Sequence, residues 1–230
     1  MENGKKLLVI DGLDGSGKAT QAKLLCERLR ERGTAVRAVS FPDYDSPSSS
    51  LVKMYLAGQF GTHPEDVNAF AASSFYAVDR FASFKRDWKG DWVRGVIIAD
   101  RYTTSNAIHQ CSKLPEAQWD GFLDWLFDYE YRLLGIPAPS GVIFLRVDPA
   151  VSQRLLDGRY GGDAEKKDLH ESDRAYLARC QRAADYCAAR LGWHTVECCR
   201  DGEMRPKEDI AREVFALASE LLAENAPAFD

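Results

Sequence analysis

Apolar and polar positions along the chain fall into short apolar runs separated by longer stretches with helical spacing. The runs Lys6–Asp11, Ala35–Phe41, Gly95–Asp100, Val142–Val147 and His194–Cys198 are rich in Val, Ile or Phe and read as buried strands. Between them, Lys18–Arg32, Asp66–Trp88, Glu116–Leu134, Ala150–Leu156, Ser172–Leu191 and Lys207–Leu222 carry apolar residues at helical intervals. Gly33 ends the first helix, and Glu224–Asp230 reads as a frayed tail. Strands that alternate with helices predict an α/β fold: a five-stranded parallel sheet covered by helices on both faces. Three polar segments interrupt the alternation: Pro42–Ser50, Ser112–Pro115 between two helices, and the glycine-containing, charged Gly158–Asp168. Loops at the carboxyl ends of parallel strands are where such folds place chemistry.

The sharpest chemical signal sits at the first strand-to-helix junction. Gly12-Leu13-Asp14-Gly15-Ser16-Gly17-Lys18 follows an apolar strand and opens a helix, the context a phosphate-binding loop requires. Its backbone amides can wrap a polyphosphate, the helix N-terminus adds positive potential, and Lys18 can reach the β- and γ-phosphates. The hydroxyl expected after the lysine is absent, because position 19 is Ala19; the next hydroxyl is Thr20. At the end of the third strand, Asp100-Arg101-Tyr102 pairs an acid suited to Mg²⁺ with an arginine suited to a second phosphate. Read alone, the tripeptide could equally be a surface ion pair. Tyr76 and Arg80 lie four apart on one predicted helix, so a ring and a guanidinium could meet a nucleobase together. For the neighbouring Phe75 and Phe81, a place in the core is the better reading.

Bulk properties narrow the partners. The 230 residues suit one domain, and the net charge of -5 argues against a nucleic-acid surface. No run is long enough for a membrane span and no signal-like segment precedes the first strand, so the expected location is cytoplasmic. The six cysteines lack Cys-x-x-Cys spacing and read as reduced thiols.

Taken in order, the phosphate loop, Phe41-Pro42, Tyr76-x3-Arg80 and Asp100-Arg101-Tyr102-x2-Ser105 resemble the thymidylate kinases over most of the chain. The resemblance implies a phosphate-loop kinase fold, ATP as phosphoryl donor, Mg²⁺, dTMP as acceptor and a homodimer. Carried onto these positions, it implies donor binding by Gly12, Asp14, Gly15, Ser16, Gly17, Lys18, Ala19 and Thr20, with Arg200–Gly202 bordering the adenine. Asp14 would hold the 3′-hydroxyl, Tyr76 would stack on thymine, and Arg80 would contact the base edge. Phe41 and Ser105 would line the acceptor side, Arg101 would bind the monophosphate, and Asp100 would order the metal. A lid spanning about 154–168 would close over ATP. Some thymidylate kinases carry a catalytic arginine in the phosphate loop; with Gly15 and Ser16 there, the charge must come from Arg159, Lys166 or Lys167, of which Arg159 is the first choice. Lys166 and Lys167 also read as a solvated basic turn.

Three departures qualify the match. Ala19 leaves Mg²⁺ to ATP phosphates, waters and Asp100, with Asp11 a further candidate. No arginine follows the second strand, which leaves the monophosphate to Arg101, with Lys53 as a second cation. His109 stands where the family places a ring against the sugar 2′-position, so sugar preference is less fixed than the reaction. Rival readings are a kinase for another pyrimidine monophosphate, a deoxynucleoside kinase with Asp11 as base, and a weakly active ATP-binding regulatory module.

Overall fold

A computed structural model of the chain describes residues 6–159 and 174–224, with the side chains of 156–159, 174 and 224 excepted. Five parallel strands, β1 (Lys6–Gly12), β2 (Val36–Ser40), β3 (Val96–Asp100), β4 (Gly141–Arg146) and β5 (His194–Glu197), form one sheet in the order β2-β3-β1-β4-β5. The expected strands are therefore present, each within a residue or two of its expected ends. β1 lies at the centre and is buried along nearly its whole length, as a two-sided parallel strand must be. Edge strand β2 is more open, and Arg37 on it pairs with Asp87 and Asp91, a charged guard on an unpaired edge.

Because strand side chains alternate, the two faces of the sheet build separate cores. Leu8, Ile10, Ile98, Ile143 and Leu145 pack with Leu25 and Leu29 of α1 (Lys18–Glu31) and with Val214 and Ala218 near the C-terminus. Leu7, Val9, Ile97, Ala99 and Val142 face Phe84, Trp88 and Tyr102. The architecture is three-layered, as the pattern predicts.

The helices depart from 3.6-residue periodicity in two places. The long helix expected over Asp66–Trp88 begins instead as α3 (Ala69–Ser83), because the Asn68 side chain accepts the Ala71 amide at 2.9 Å and caps it. It then passes through a π turn (Phe84–Trp88) into α4 (Lys89–Arg94). The segment expected as one helix over Glu116–Leu134 is a 3₁₀ turn, then α6 (Trp119–Phe127), then a second π turn (Asp128–Leu133). Two further helices are additional to the expected set: α2 (Ser50–Leu56) and α5 (Thr103–Cys111). Neither has the length or apolar stripe that announces a helix in sequence. α7 (Pro149–Arg159), α8 (Arg174–Arg190) and α9 (Lys207–Glu224) follow the expected helices closely. After β5, the two-residue strands β6 (Cys199–Arg200) and β7 (Glu203–Met204) pair as a small antiparallel hairpin. The proposed lid segment 154–168 lies mostly outside the described residues, as do Lys166, Lys167 and the side chain of Arg159. No helix among the described residues is long and apolar enough to cross a membrane.

Candidate active site

Registry of the central strands assembles the site. Ile10 pairs with Asp100 and Asp11 with Phe144, so the loop leaving β1, the end of β3 and the end of β4 emerge side by side. Two glycines make the loop possible. A Cβ at Gly12 would stand 2.6 Å from the Leu145 carbonyl oxygen, a backbone atom that cannot yield. Gly17 sits at φ +83° as the cap of α1, in the left-handed region that glycine enters freely. No side chain among the described residues caps α1, and its first turn holds no acid. Its leading amides are thus left for an anion. Lys18 is buried, with Nζ donating to the Leu13 carbonyl at 2.8 Å and lying 4.0 Å from Asp14. Burial, reinforced by the nearby Arg101 cation, pushes its pKa down to about 8. Ala19 and Thr20 point to the exposed side of the helix start.

Arg101 takes a left-handed backbone conformation (φ +64°), unusual for a residue with a side chain, while its amide donates to the Ile10 carbonyl at 3.1 Å. Its guanidinium pairs with Asp14 and reaches Ser105 Oγ at 3.4 Å. Burial opposes the charge, but Asp14, Asp11 and Asp100 together hold its pKa above the ordinary arginine value. Asp11 is fully buried and saturated: it accepts the Gly12 amide at 2.8 Å, the Ser105 hydroxyl at 2.9 Å on both oxygens, and the Thr104 hydroxyl. Asp100 differs. Burial raises its pKa against the pull of Lys18 and Arg101, and its buried Oδ1 has no hydrogen-bond partner among the described residues. That oxygen is the group in this cluster most in need of a cation. No three His, Cys, Asp or Glu side chains cluster as a metal cage among the described residues.

Among the residues expected to meet the acceptor, Tyr76 is half-buried on α3, edge-on to Tyr55 with ring centres 6.5 Å apart, and lies near enough to Arg101 to perturb its charge. Arg80, one turn on, is 2% exposed and forms a two-pronged ion pair with Glu130 through Nε (2.7 Å) and Nη2 (2.6 Å). Glu130 also accepts from Thr103 Oγ1 (2.8 Å) and Asn106 Nδ2 (3.3 Å). Sequence reading passes over Glu130, although a signal exists: the buried stripe Trp119, Phe122, Leu123, Leu126 reaches an acid at its next turn. Phe41 places its ring in the core against Tyr102 (5.8 Å) and Trp88 (6.5 Å). The loop after it is held by Asp79, which accepts from the Asp43 amide (2.8 Å) and Ser48 Oγ (2.5 Å). His109 is buried and stacks on Tyr176, with Nδ1 3.3 Å from the Tyr176 hydroxyl. Burial, then the Arg101 cation, drives its pKa down to about 3, so the imidazole is neutral at physiological pH.

α7 lies against the other side of the loop. Ser152 Oγ donates to the Asp14 carbonyl at 2.5 Å, and Arg154 reaches the Gly202 carbonyl at 2.7 Å. Beyond them opens a 260 Å³ cavity lined by Asp148, Gln181, Cys199, Arg200 and Asp201. Arg200 thus borders a hollow at the carboxyl ends of β4 and β5.

A family model for thymidylate kinase matches residues 10–198. The thymidylate kinase of Mycobacterium tuberculosis is 30% identical over 191 residues, covering 81% of this chain and 87% of that protein. The probable thymidylate kinase of Methanothermobacter thermautotrophicus is 31% identical over 205 residues, covering 89% and 92%. The solved thymidylate kinase of Candida albicans superposes with a TM-score of 0.69 at 20% identity, over 97% of this chain and 93% of that one, and so shares its fold. Phosphate loop, buried lysine, charged strand-end arginine and sequence relatives agree: the chain belongs to the thymidylate kinase family of ATP-dependent nucleoside monophosphate kinases.

Proposed function

We propose that this kinase moves the γ-phosphoryl group of ATP to dTMP, giving dTDP and ADP, with all 230 residues acting as one domain. The observation that carries the reading is Arg101, a half-buried cation held charged by three carboxylates beside the phosphate loop. Its planar fork of donors suits the phosphate of a monophosphate acceptor. Lys18 and the α1 amides take the donor phosphates, while Arg200 borders the adenine. Asp14 orients Arg101 and accepts from the acceptor sugar, Tyr76 stacks on the base, and Arg80 reads the base edge. Ser105 lines the same side, Phe41 shapes it from the core, and His109 offers a neutral wall toward the sugar. Arg159 supplies the lid charge.

Asp100 Oδ1 fits Mg²⁺, a hard cation that takes few protein ligands and retains water. When bound, Mg²⁺ neutralises charge that develops on the transferring phosphoryl. A phosphate acceptor needs no proton removed, which suits an Asp11 whose oxygens are already occupied. The deoxynucleoside kinase reading needs that same carboxylate as a base. The Asp66–Trp88 segment, with Phe70 (45% exposed) and Val78 (40%) on α3, offers apolar surface for a second copy.

An acceptor screen with ATP and Mg²⁺ across thymidine, dTMP, dUMP, dCMP, UMP, CMP and AMP tests the assignment. Turnover highest with dTMP is expected; thymidine turned over ahead of dTMP would sink it.

pH gives a second test. The Lys18 amine is charged below about pH 8 and neutral above. Its folded pKa is below its unfolded value, so the unfolded chain binds more protons between the two. Stability from this group therefore rises with pH above 8, while attraction for the triphosphate falls. Lys113, also lowered to about 8 by burial, acts on stability in the same direction. We expect kcat/KM for ATP to decline above pH 8 without a parallel decline in melting temperature. Coincident losses through pH 8–9 would count against Lys18.

A further inference from the structure

We propose that Glu130 is a positioning residue for nucleobase choice, locking Arg80 at one rotation beside the acceptor pocket; the inference rests on the acceptor reading above. A guanidinium offers five donors in a plane. Glu130 takes two of them along one edge, through Nε and Nη2, which fixes the plane as a single contact could not. The remaining arm, Nη1, is 3.4 Å from the Tyr102 carbonyl, longer than an ordinary N–H···O bond. A better acceptor in the pocket can therefore claim it.

The same carboxylate accepts from Thr103 and Asn106, so it joins α3, the first turn of α5 and the π turn after α6. Asn106 is fixed from the other side as well, donating to the Ser73 carbonyl at 3.2 Å. Apolar residues of similar volume would stabilise this interior as well as a buried ion pair does. Orientation is what the pair adds. A donor arm held rigidly complements the carbonyl at position 4 of thymine or uracil and is left unpaired against the amino group of cytosine. A mobile Arg80 could turn away from that mismatch, and the discrimination would be lost.

The test compares dTMP with dCMP in wild type, Glu130→Asp, Glu130→Gln and the double variant Arg80→Met/Glu130→Leu. Glu130→Asp keeps the charge but withdraws it by one methylene. It should lower the dTMP-to-dCMP ratio of kcat/KM about tenfold, chiefly through KM for dTMP, and leave KM for ATP unchanged. Glu130→Gln should move the ratio the same way. The double variant guards against a folding failure: it should melt no lower than Glu130→Gln and lose the discrimination altogether. Glu130→Asp and the double variant both folded, with the wild-type ratio intact, would overturn the proposal. So would proportional losses for dTMP and dCMP, which mark a merely structural pair. A wild-type chain that phosphorylates no pyrimidine monophosphate would instead overturn the acceptor reading, and the same assay shows this before any variant is compared.

Discussion

Lys18→Ala should abolish most phosphoryl transfer while leaving a protein at least as stable as the parent. The expected fall in kcat is about a thousandfold, which corresponds to ~4 kcal/mol of lost transition-state stabilisation. The magnitude reflects what surrounds the amine. Lys18 is buried, and Ala19 brings no hydroxyl at the position directly after it, where the motif usually has one to share the work of holding donor phosphates. Stability should move the other way, because burial disfavours this ammonium and alanine removes the penalty. The bond to the Leu13 carbonyl is lost too, but that loop carbonyl can turn to water. Single-turnover kinetics with a thermal melt on the same preparation checks both halves. A stable variant that retained a tenth of wild-type kcat would remove Lys18 from the chemistry.

Arg101→Ala should cost about as much in kcat/KM for dTMP, and by a different route. Removing the guanidinium takes from Asp14 its arginine contact and withdraws the half-buried cation proposed to face the acceptor phosphate. Arg101→Lys should recover little, since a single ammonium cannot span Asp14, Ser105 and a phosphate with planar geometry. The backbone works in the opposite sense. Position 101 holds φ +64°, so Arg101→Gly should be more stable than Arg101→Ala by about 1 kcal/mol and equally inactive. Loss confined to KM for ATP, with dTMP kinetics intact, would place Arg101 on the donor side and refute its role.

The parts of the fold visible in sequence are those decided locally. The strand runs, the glycine turn and the lysine at a helix start each follow from neighbours within a few positions, and all stand where the pattern puts them. The end of β3 is legible for the same reason: an apolar run stops at Asp100. Contacts that cross the chain are another matter. Arg80 reads from sequence as a nucleobase contact one turn from Tyr76, and nothing near it in the chain announces that Glu130, fifty positions away, pairs with its charge. The two π turns are invisible because an added residue per turn barely disturbs a 3.6-residue pattern over so short a span. Phe41 reads as a substrate contact beside a loop, but its ring turns inward, where Trp88 and Tyr102 complete an aromatic cluster. His109 is legible as a departure and not as a consequence: its burial and the nearby Arg101 cation, neither visible in sequence, keep the imidazole neutral at physiological pH.

Asp11 bears on how such a kinase can be remodelled. Its oxygens serve the amide of Gly12 on one side and the hydroxyls of Thr104 and Ser105 on the other. The phosphate loop and the first turn of α5 are therefore not interchangeable parts, although some ninety residues separate them in the chain. A loop transplanted alone from a homologue with a longer or uncharged residue at position 11 would strand the buried Thr104 hydroxyl and the half-buried one of Ser105. Chimeras have to carry both segments together, and their divergence has to proceed in step.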